Sequence, residues 1–344
     1  YIPVDAALPS GVNFGPRERA QMVKESLDVC DAKGVVGAGY IPKIDQTSCT
    51  ANSKGLFAYY RVAEAGFILT CRMADGSGSG WAGTTGIKDP STIDAAGLSV
   101  VAADKALKSR NAKALEPGRY TVILEPRANA RFLSLMRGIF NARAAEDGRN
   151  FLSKPGGGTK VGERAFSELL TLKSDIGNPL LRQTTILNNN KPAAPVTWVE
   201  NGVVRNLLYD EGYAAEKKVA PTPATLNMSL SMEGSDQSVE DMIRSTRRGL
   251  LVTFFWYIRG VDQDTLLNTG MTRDGLFLIE NGEITMPVQN FRWNMSPLVG
   301  YNNLTAVGRP VPMHMGESYD GQNTALIPPV RMDDFYMTSV SPAV

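Results

Sequence analysis

Apolar residues recur every three to four positions along several stretches of the chain, the spacing that places them on one face of a helix. The first stretch covers residues 16–32, between Pro16 and Gly34, and the second opens at Asp89-Pro90-Ser91-Thr92 and continues to residue 106. The third, at residues 128–145, has a strong apolar stripe, and a shorter helix is predicted at residues 238–247. Prolines near starts and glycines near ends are usual helix boundaries, so the pattern predicts amphipathic helices at these places.

Short runs of β-branched and aromatic residues predict strands between and after these helices. Two of them, at residues 56–61 and 66–72, predict paired strands separated by a polar break, and others lie at residues 120–124, 250–258 and 333–339. Two hairpins are predicted as well, because Asn201-Gly202 and Asn281-Gly282 supply the positive φ angles of a type I′ turn.

Strand patterns dominate the second half of the chain, whereas helices and strands share the first half. The sequence therefore predicts an α+β fold, with an N-terminal α/β part followed by a mostly antiparallel, β-rich C-terminal domain. We place the boundary at residue 115, so that residues 1–115 and 116–344 form the two parts. A chain of 344 residues is long enough for two domains of this kind.

Charge gives no reason to expect a nucleic acid or an anionic membrane as a partner. Thirty-six Lys and Arg residues oppose 35 Asp and Glu residues, which leaves a net charge of +1. No apolar run approaches the roughly 20 residues of a membrane span. The chain has one histidine, His314, so a zinc site built from two histidines is excluded within it.

The three cysteines, Cys30, Cys49 and Cys71, have neither the even number of a disulfide framework nor the C-x-x-C spacing of a zinc knuckle. Free, buried thiols are the simplest interpretation. This cysteine content fits the reducing cytoplasm, which is the predicted location.

Most short motifs in the chain lack the context that their chemistry needs. The glycines of the segment 78–83 match G-x-G-x-x-G, but they follow an antiparallel strand pair and precede another loop, unlike a dinucleotide-binding turn. No G-x-S-x-G elbow is present, so a serine hydrolase is unsupported. His314 lies in a loop-like segment and is most simply explained as a loop histidine, and the pair Asp333-Asp334 as surface carboxylates. A hydrolase site built on either of them is the weakest alternative.

A longer signature carries more information. The segment 269–294, which includes Thr272-Arg273-Asp274-Gly275, closely resembles the signature of the TldD/PmbA family, peptidases once called modulators of DNA gyrase. Similar blocks keep the family's order, and they lie at residues 55–60, 76–83, 115–126, 144–149, 200–202 and 338–342. The family normally has a longer N-terminal domain, so the resemblance implies a chain that is short at its start.

The resemblance implies a cytosolic metallopeptidase system that degrades or trims unstructured peptides. Active, TldD-like members carry H-E-x-x-x-H, in which two histidines hold zinc and the glutamate is the general base. In this sequence the histidine positions fall on Ser134 and Ile139, the glutamate falls on Leu135, and the family's C-terminal cysteine falls near Glu317. The resemblance therefore implies the PmbA or TldE-like branch, with no catalytic residues, metal or other cofactor in this chain and zinc in a partner subunit.

Two functions remain open at this point. One is the metal-free subunit of a heterodimer with a TldD-like zinc peptidase, which would admit unfolded peptides by adding them to sheet edges. The alternative is a peptide-binding or scaffold homodimer without proteolytic activity. Candidate peptide-binding residues lie in the strands at 250–257 and 269–277, and they are Tyr257, Gly270, Thr272, Arg273 and Phe277.

Overall fold

The structure is a computed structural model that describes residues 4–181, 184–316 and 324–341. Its N-terminal part is a five-stranded sheet covered by helices. The elements are β1 (Val4–Ala6), α1 (Pro9–Val12), α2 (Pro16–Lys33), β2 (Val36–Tyr40), β3 (Lys43–Ala51), β4 (Phe57–Arg72), β5 (Ser79–Ile87), a 3₁₀ turn (Pro90–Thr92) and α3 (Ala95–Lys108). Both helices predicted in this region are present, and Asp94 caps α3 by accepting a hydrogen bond from the Gly97 amide.

The prediction of two strands at residues 56–61 and 66–72 is wrong in one respect, because β4 runs without interruption from Phe57 to Arg72. The supposed polar break contains Glu64, which is a buried strand residue and not part of a turn. Its charge is neutralised by partners from other elements, a tertiary effect that a local pattern does not reveal.

The glycine-rich segment also differs from the prediction, since Trp81 and Gly83 lie on β5 and not in a loop. Gly78 and Gly80 are explained by close packing of this segment on α3. A Cβ on Gly78 would lie 2.3 Å from the Ala106 carbonyl oxygen, and one on Gly80 would lie 2.4 Å from that of Ala102. Only glycine permits so close an approach.

The C-terminal part contains thirteen further strands and five short helices in the described ranges. The elements are β6 (Gly118–Leu124), α4 (Pro126–Leu133), a 3₁₀ turn (Ser134–Met136), α5 (Ala142–Glu146), β7 (Leu172–Ser174), β8 (Val196–Glu200), β9 (Val203–Val204), α6 (Glu211–Lys217), β10 (Leu230–Met232), α7 (Val239–Arg244), β11 (Arg248–Asp262), β12 (Leu267–Glu280), β13 (Glu283–Pro287), β14 (Phe291–Met295), α8 (Pro297–Asn302), β15 (Leu304–Val307), β16 (Val311–His314), β17 (Thr324–Ile327) and β18 (Val330–Val340).

Five of these strands close into a barrel. The path β11-β6-β18-β14-β12 returns to its start because β12 also pairs with β11, and β13 and β15 extend it outward. All pairings in the circuit are antiparallel except that of β6 with β11. An aromatic cluster of Phe132, Phe255, Trp293 and Phe335 packs with ring centroids 4.9–6.3 Å apart and anchors α4 to the barrel.

A second, six-stranded sheet has the order β16-β17-β10-β7-β8-β9. Both predicted hairpins are present: Asn201-Gly202 joins β8 to β9 and Asn281-Gly282 joins β12 to β13, with positive φ at all four residues. The α+β class is therefore confirmed, with an α/β part first and mostly antiparallel sheets after it. The division at residue 115 stays a prediction.

The predicted helix at residues 128–145 is interrupted. It consists of α4, the 3₁₀ turn and α5, with a break at residues 137–141. Asn141 accounts for the restart, because its side chain accepts a hydrogen bond from the Ala144 amide at 2.8 Å and caps α5. No helix in the described ranges is long and apolar enough to cross a membrane.

Candidate functional site

The positions that the family resemblance assigns to the zinc motif lie in the interrupted segment after α4. Ser134 and Leu135 belong to the 3₁₀ turn, and Ile139 lies in the break that follows it. The Ser134 hydroxyl donates a hydrogen bond to the Arg131 carbonyl at 2.7 Å, and Leu135 packs against the main core. Ile139 is a core residue with 2% of its surface exposed.

These side chains do not fit zinc. Leu135 and Ile139 have no donor atoms, and the Ser134 hydroxyl is engaged with the main chain. In the described ranges, no three His, Cys, Asp or Glu side chains come together as a metal-binding group. Glu317, the position expected near the family's cysteine, lies outside the described residues.

A cluster of buried charges lies where the N-terminal sheet meets the six-stranded sheet, and we call Glu64, Lys88 and His314 the ionic junction. The Lys88 ammonium donates to Glu64 Oε2 at 2.7 Å, and His314 Nε2 lies 3.4 Å from Glu64 Oε1. All three side chains are at most 7% exposed. The loop placement of His314 is therefore wrong: it is the last residue of β16 and is buried.

The surroundings of the ionic junction hold its geometry. Burial by itself would raise the pKa of Glu64, but the contacts with His314 and Lys88 outweigh it and hold the pKa below its ordinary value of 4.5. The His314 amide donates to the Thr85 hydroxyl at 2.7 Å, which links β16 to β5. A Cβ on Gly86, whose φ is +73°, would lie 2.2 Å from the Thr324 methyl carbon, so β17 also packs directly on β5.

Arg127 extends this region toward the start of α4. Its side chain is fully buried and donates to the carbonyl oxygens of His314 and Gly316, at 2.6 and 2.9 Å. The guanidinium also lies 5.2 Å from the ring centroid of Phe254 on β11. Arg127 therefore connects α4, the barrel and the end of β16.

Several strands have one edge without a strand partner within the described residues. β5 pairs only with β4, and β16 pairs only with β17. β11 pairs with β6 only through residues 250–252, so its later half meets a strand on one side alone. Such an edge presents a row of main-chain donors and acceptors, which an extended segment is able to pair with.

Two of the predicted peptide-binding residues are accessible. Tyr257 is half exposed and has a φ of +53°, and the guanidinium carbon of Arg259 lies 4.3 Å from its ring centroid. Arg273 is 30% exposed in its side chain, and its guanidinium lies 5.3 Å from the ring of Trp256. Both therefore present groups that a bound chain would reach.

The other three are buried and have clear roles in the fold. Gly270 lies against Trp293, where a Cβ would come within 2.4 Å of the ring. The Thr272 hydroxyl lies 3.0 Å from the Asn290 side-chain oxygen, and Phe277 belongs to a cluster on the outer face of the barrel. A direct contact of these residues with a peptide stays a prediction.

Asp274, next to Arg273, is a residue that sequence reasoning missed. It has a φ of +53° and forms a bulge with Gly275, since Thr253 alone faces both of them on β11. Its Oδ1 atom is buried without a hydrogen-bond partner in the described part of the chain, and its Oδ2 lies 3.5 Å from Arg273 Nε. Burial raises the pKa of Asp274, and Arg273 opposes that effect only in part.

The match to a known family covers most of the barrel and the six-stranded sheet. Residues 117–339, about two thirds of the chain, match the family model described as the PmbA/TldA metallopeptidase C-terminal domain. The chain belongs to the PmbA/TldD family. The family resemblance of the segment 269–294 is thereby confirmed, and so is the kinship with metallopeptidases of this type.

Solved structures of similar fold extend the match over nearly the whole chain. A protein of Thermotoga maritima described as a modulator of a DNA gyrase has a TM-score of 0.81 at 17% identity, covering 98% of this chain and 77% of that one. TldE of Thermococcus kodakarensis has a TM-score of 0.80 at 20% identity, covering 95% and 76%. A gyrase-modulator relative of Bacteroides thetaiotaomicron has a TM-score of 0.76 at 19% identity, covering 96% and 74%. No curated protein matches the sequence significantly.

Proposed function

We propose that this chain is the metal-free subunit of a PmbA/TldD-type metallopeptidase that trims or degrades unstructured peptides in the cytoplasm, together with a zinc-bearing TldD-like partner. Family membership is the observation that carries the metallopeptidase part of the proposal. Three free cysteines, two of them buried, are consistent with a reducing location.

The chemistry of the motif positions supports a subunit without its own metal. Ile139 is packed in the core, and the Ser134 hydroxyl is bonded to the main chain one turn earlier. A polar ligand at position 139 would have to be buried among apolar side chains, which costs free energy without a partner. The zinc that activates water for peptide hydrolysis therefore belongs to the partner in this proposal.

Open strand edges support the role in peptide handling. The proposed strand pair at 250–257 and 269–277 is largely closed, because β12 pairs with β11 on one side and with β14 and β13 on the other. Among the edges that have no strand partner within the described residues are those of β5, β16 and the later half of β11, where Tyr257 lies. Pairing through main-chain groups selects extended chains, since folded proteins have already paired theirs.

The test combines metal analysis with peptidase assays on this chain, on a homologue that carries H-E-x-x-x-H, and on their mixture. We expect no zinc and no cleavage with this chain alone, and cleavage of an unfolded casein-derived peptide by the mixture at least tenfold faster than by the homologue alone. The matched control is the mixture in which the motif glutamate of the homologue is changed to glutamine, which should be inactive.

Two results would overturn the proposal. Stoichiometric zinc with peptidase activity in this chain alone would assign the catalytic site to it. A stable homodimer that binds peptides but neither associates with the homologue nor changes its rate would instead establish the scaffold alternative.

A further inference from the structure

A groove of about 610 Å³ runs along the unpaired edge of β5, and we call it the β5 groove. Helix α3 forms one wall, and the outer face of the barrel with α7 forms the other. Val311 and Met313 of β16 and the start of α4 line it as well. Its volume falls within the range of roughly 300–1,000 Å³ that is usual for ligand sites.

The walls of the β5 groove are mainly apolar, and some of their apolar side chains are open to solvent. Val101 on α3 is 45% exposed and Ile284 on β13 is 39% exposed, on opposite walls. Leu251 and Phe277 lie deeper and are almost completely buried. Apolar side chains of a bound segment would be buried against both walls, and removing their apolar surface from water would favour binding.

Main-chain groups of β5 are directed into the groove. Residues 81–84 line it consecutively, and the Trp81 carbonyl accepts a hydrogen bond from the Lys105 ammonium of α3 at 3.3 Å. Lys105 in turn donates to both carboxylate oxygens of Glu125, at 2.6 and 2.8 Å. Because a strand residue directs its N–H and C=O to the same side, Trp81 and Gly83 both present main-chain groups away from β4.

Trp81 adds a donor without an acceptor. This residue lines the groove and is 5% exposed, and its Nε1 atom is buried with no hydrogen-bond partner among the described residues. Leaving a buried donor unpaired costs free energy, and a carbonyl oxygen is a common group that removes this cost. A peptide supplies such oxygens at every residue.

Charge does not distinguish one peptide from another in this groove. Lys105 and Glu125 neutralise each other, and the remaining charged residues at its walls include Asp104, Lys108 and Glu240, which have both signs. Selection therefore depends on the apolar walls and on access to the strand edge.

We propose that the β5 groove binds extended peptide segments that carry bulky aliphatic or aromatic side chains. This inference rests on the proposed function and adds a preference of this subunit for apolar segments. Main-chain pairing with Trp81 and Gly83 holds the segment extended, while its side chains pack between α3 and the outer face of the barrel.

The experiment measures binding of two fluorescent, end-capped ten-residue peptides to the intact chain by anisotropy. One peptide alternates leucine with threonine, and the other alternates serine with threonine. We expect the leucine peptide to bind at least tenfold more tightly than the serine peptide. Val101→Lys and Ile284→Lys should each weaken leucine-peptide binding at least fivefold, because each places an ammonium on an apolar wall.

Val219→Lys is the matched control, since Val219 is 48% exposed and lies outside the groove, and binding by this variant should stay within twofold of the parent. Equal affinities for the two peptides, or unchanged affinity in both groove variants, would overturn the groove assignment. The two proposals fail separately. If the mixed subunits cleave peptides but this chain shows no preference for apolar peptides, only the groove proposal is overturned. If this chain binds apolar peptides but does not associate with the zinc homologue, only the heteromeric peptidase proposal is overturned.

Discussion

The segment after α4 and the ionic junction differ in the side chains that they bury: apolar in the first, charged in the second. The first holds the positions of a zinc motif, yet it is occupied by Leu135 and Ile139, which pack against or within the apolar core. The second brings Glu64 and His314 together from strands that lie 250 residues apart in sequence. Buried charged groups thus meet at a place where the sequence shows no motif. The segment after α4 was identified from the family resemblance and the ionic junction from its burial, so the two regions need separate tests.

The largest expected effect comes from breaking the ionic junction. Lys88→Met leaves the buried Glu64 carboxylate without its cation, and removal of one member of a buried pair costs about 3–5 kcal/mol of unfolding free energy. Urea unfolding measures the loss. Lys24→Met is the matched control, because Lys24 and Asp28 form an exposed pair whose loss should cost less than about 1 kcal/mol. Equal costs for the two variants would show that the junction is not stabilising.

A somewhat smaller effect is expected at the motif segment. Ile139→Ala removes buried apolar volume and should lower the unfolding free energy by about 2–4 kcal/mol, as measured by urea unfolding. Ser134→Ala removes one hydrogen bond to the main chain and should cost only about 1 kcal/mol. If Ile139→Ala lowered the unfolding free energy by no more than Ser134→Ala, Ile139 would not be packed in the core.

The smallest effect is expected at the bulge of β12. The folded-state pKa of Asp274 is raised, so the folded chain loses stability as pH rises from below 3.8 through that raised pKa, and the cost is fully present above it. Asp274→Asn removes the ionisation and tolerates the positive φ, so it should raise the unfolding free energy at pH 7.

At pH 3 this variant and the parent should have nearly the same unfolding free energy, because both side chains are then neutral. Urea unfolding at the two pH values checks this. A variant that is less stable at pH 7 would mean that the contact of Asp274 with Arg273 outweighs burial.

Local patterns were reliable where one element determines its own structure. The helix from Pro16 to Lys33 and the two Asn-Gly hairpins lie where their residues predict them, because capping, periodicity and positive φ are local properties. The single strand β4 was missed for a different reason. Glu64 looks like a turn residue until Lys88 and His314 are brought to it by other strands.

Several features of the candidate site follow from tertiary contacts alone. Asn141 caps a new helix inside what the apolar stripe predicts as one helix, and the stripe is preserved because the broken segment still crosses the core. The glycines near Trp81 match a nucleotide motif, but Gly78 and Gly80 are required by the approach of the chain to α3, and Gly83 lies against the Phe67 carbonyl of β4. The β5 groove likewise depends on elements that are distant in sequence, among them β5, α3, α7 and β16.

By itself, the sequence determined the family, the α+β class and the hairpins, since each depends on residue identity or short-range spacing. The assignment of Ser134, Leu135 and Ile139 to the zinc-motif positions stays a prediction. Tertiary structure decided which side chains lose contact with water and which strand edges stay open. The buried surroundings shift the pKa values of Glu64 and Asp274, and they place His314 beside Glu64. Desolvation depends on the surrounding chain, and for that reason no local pattern predicts it.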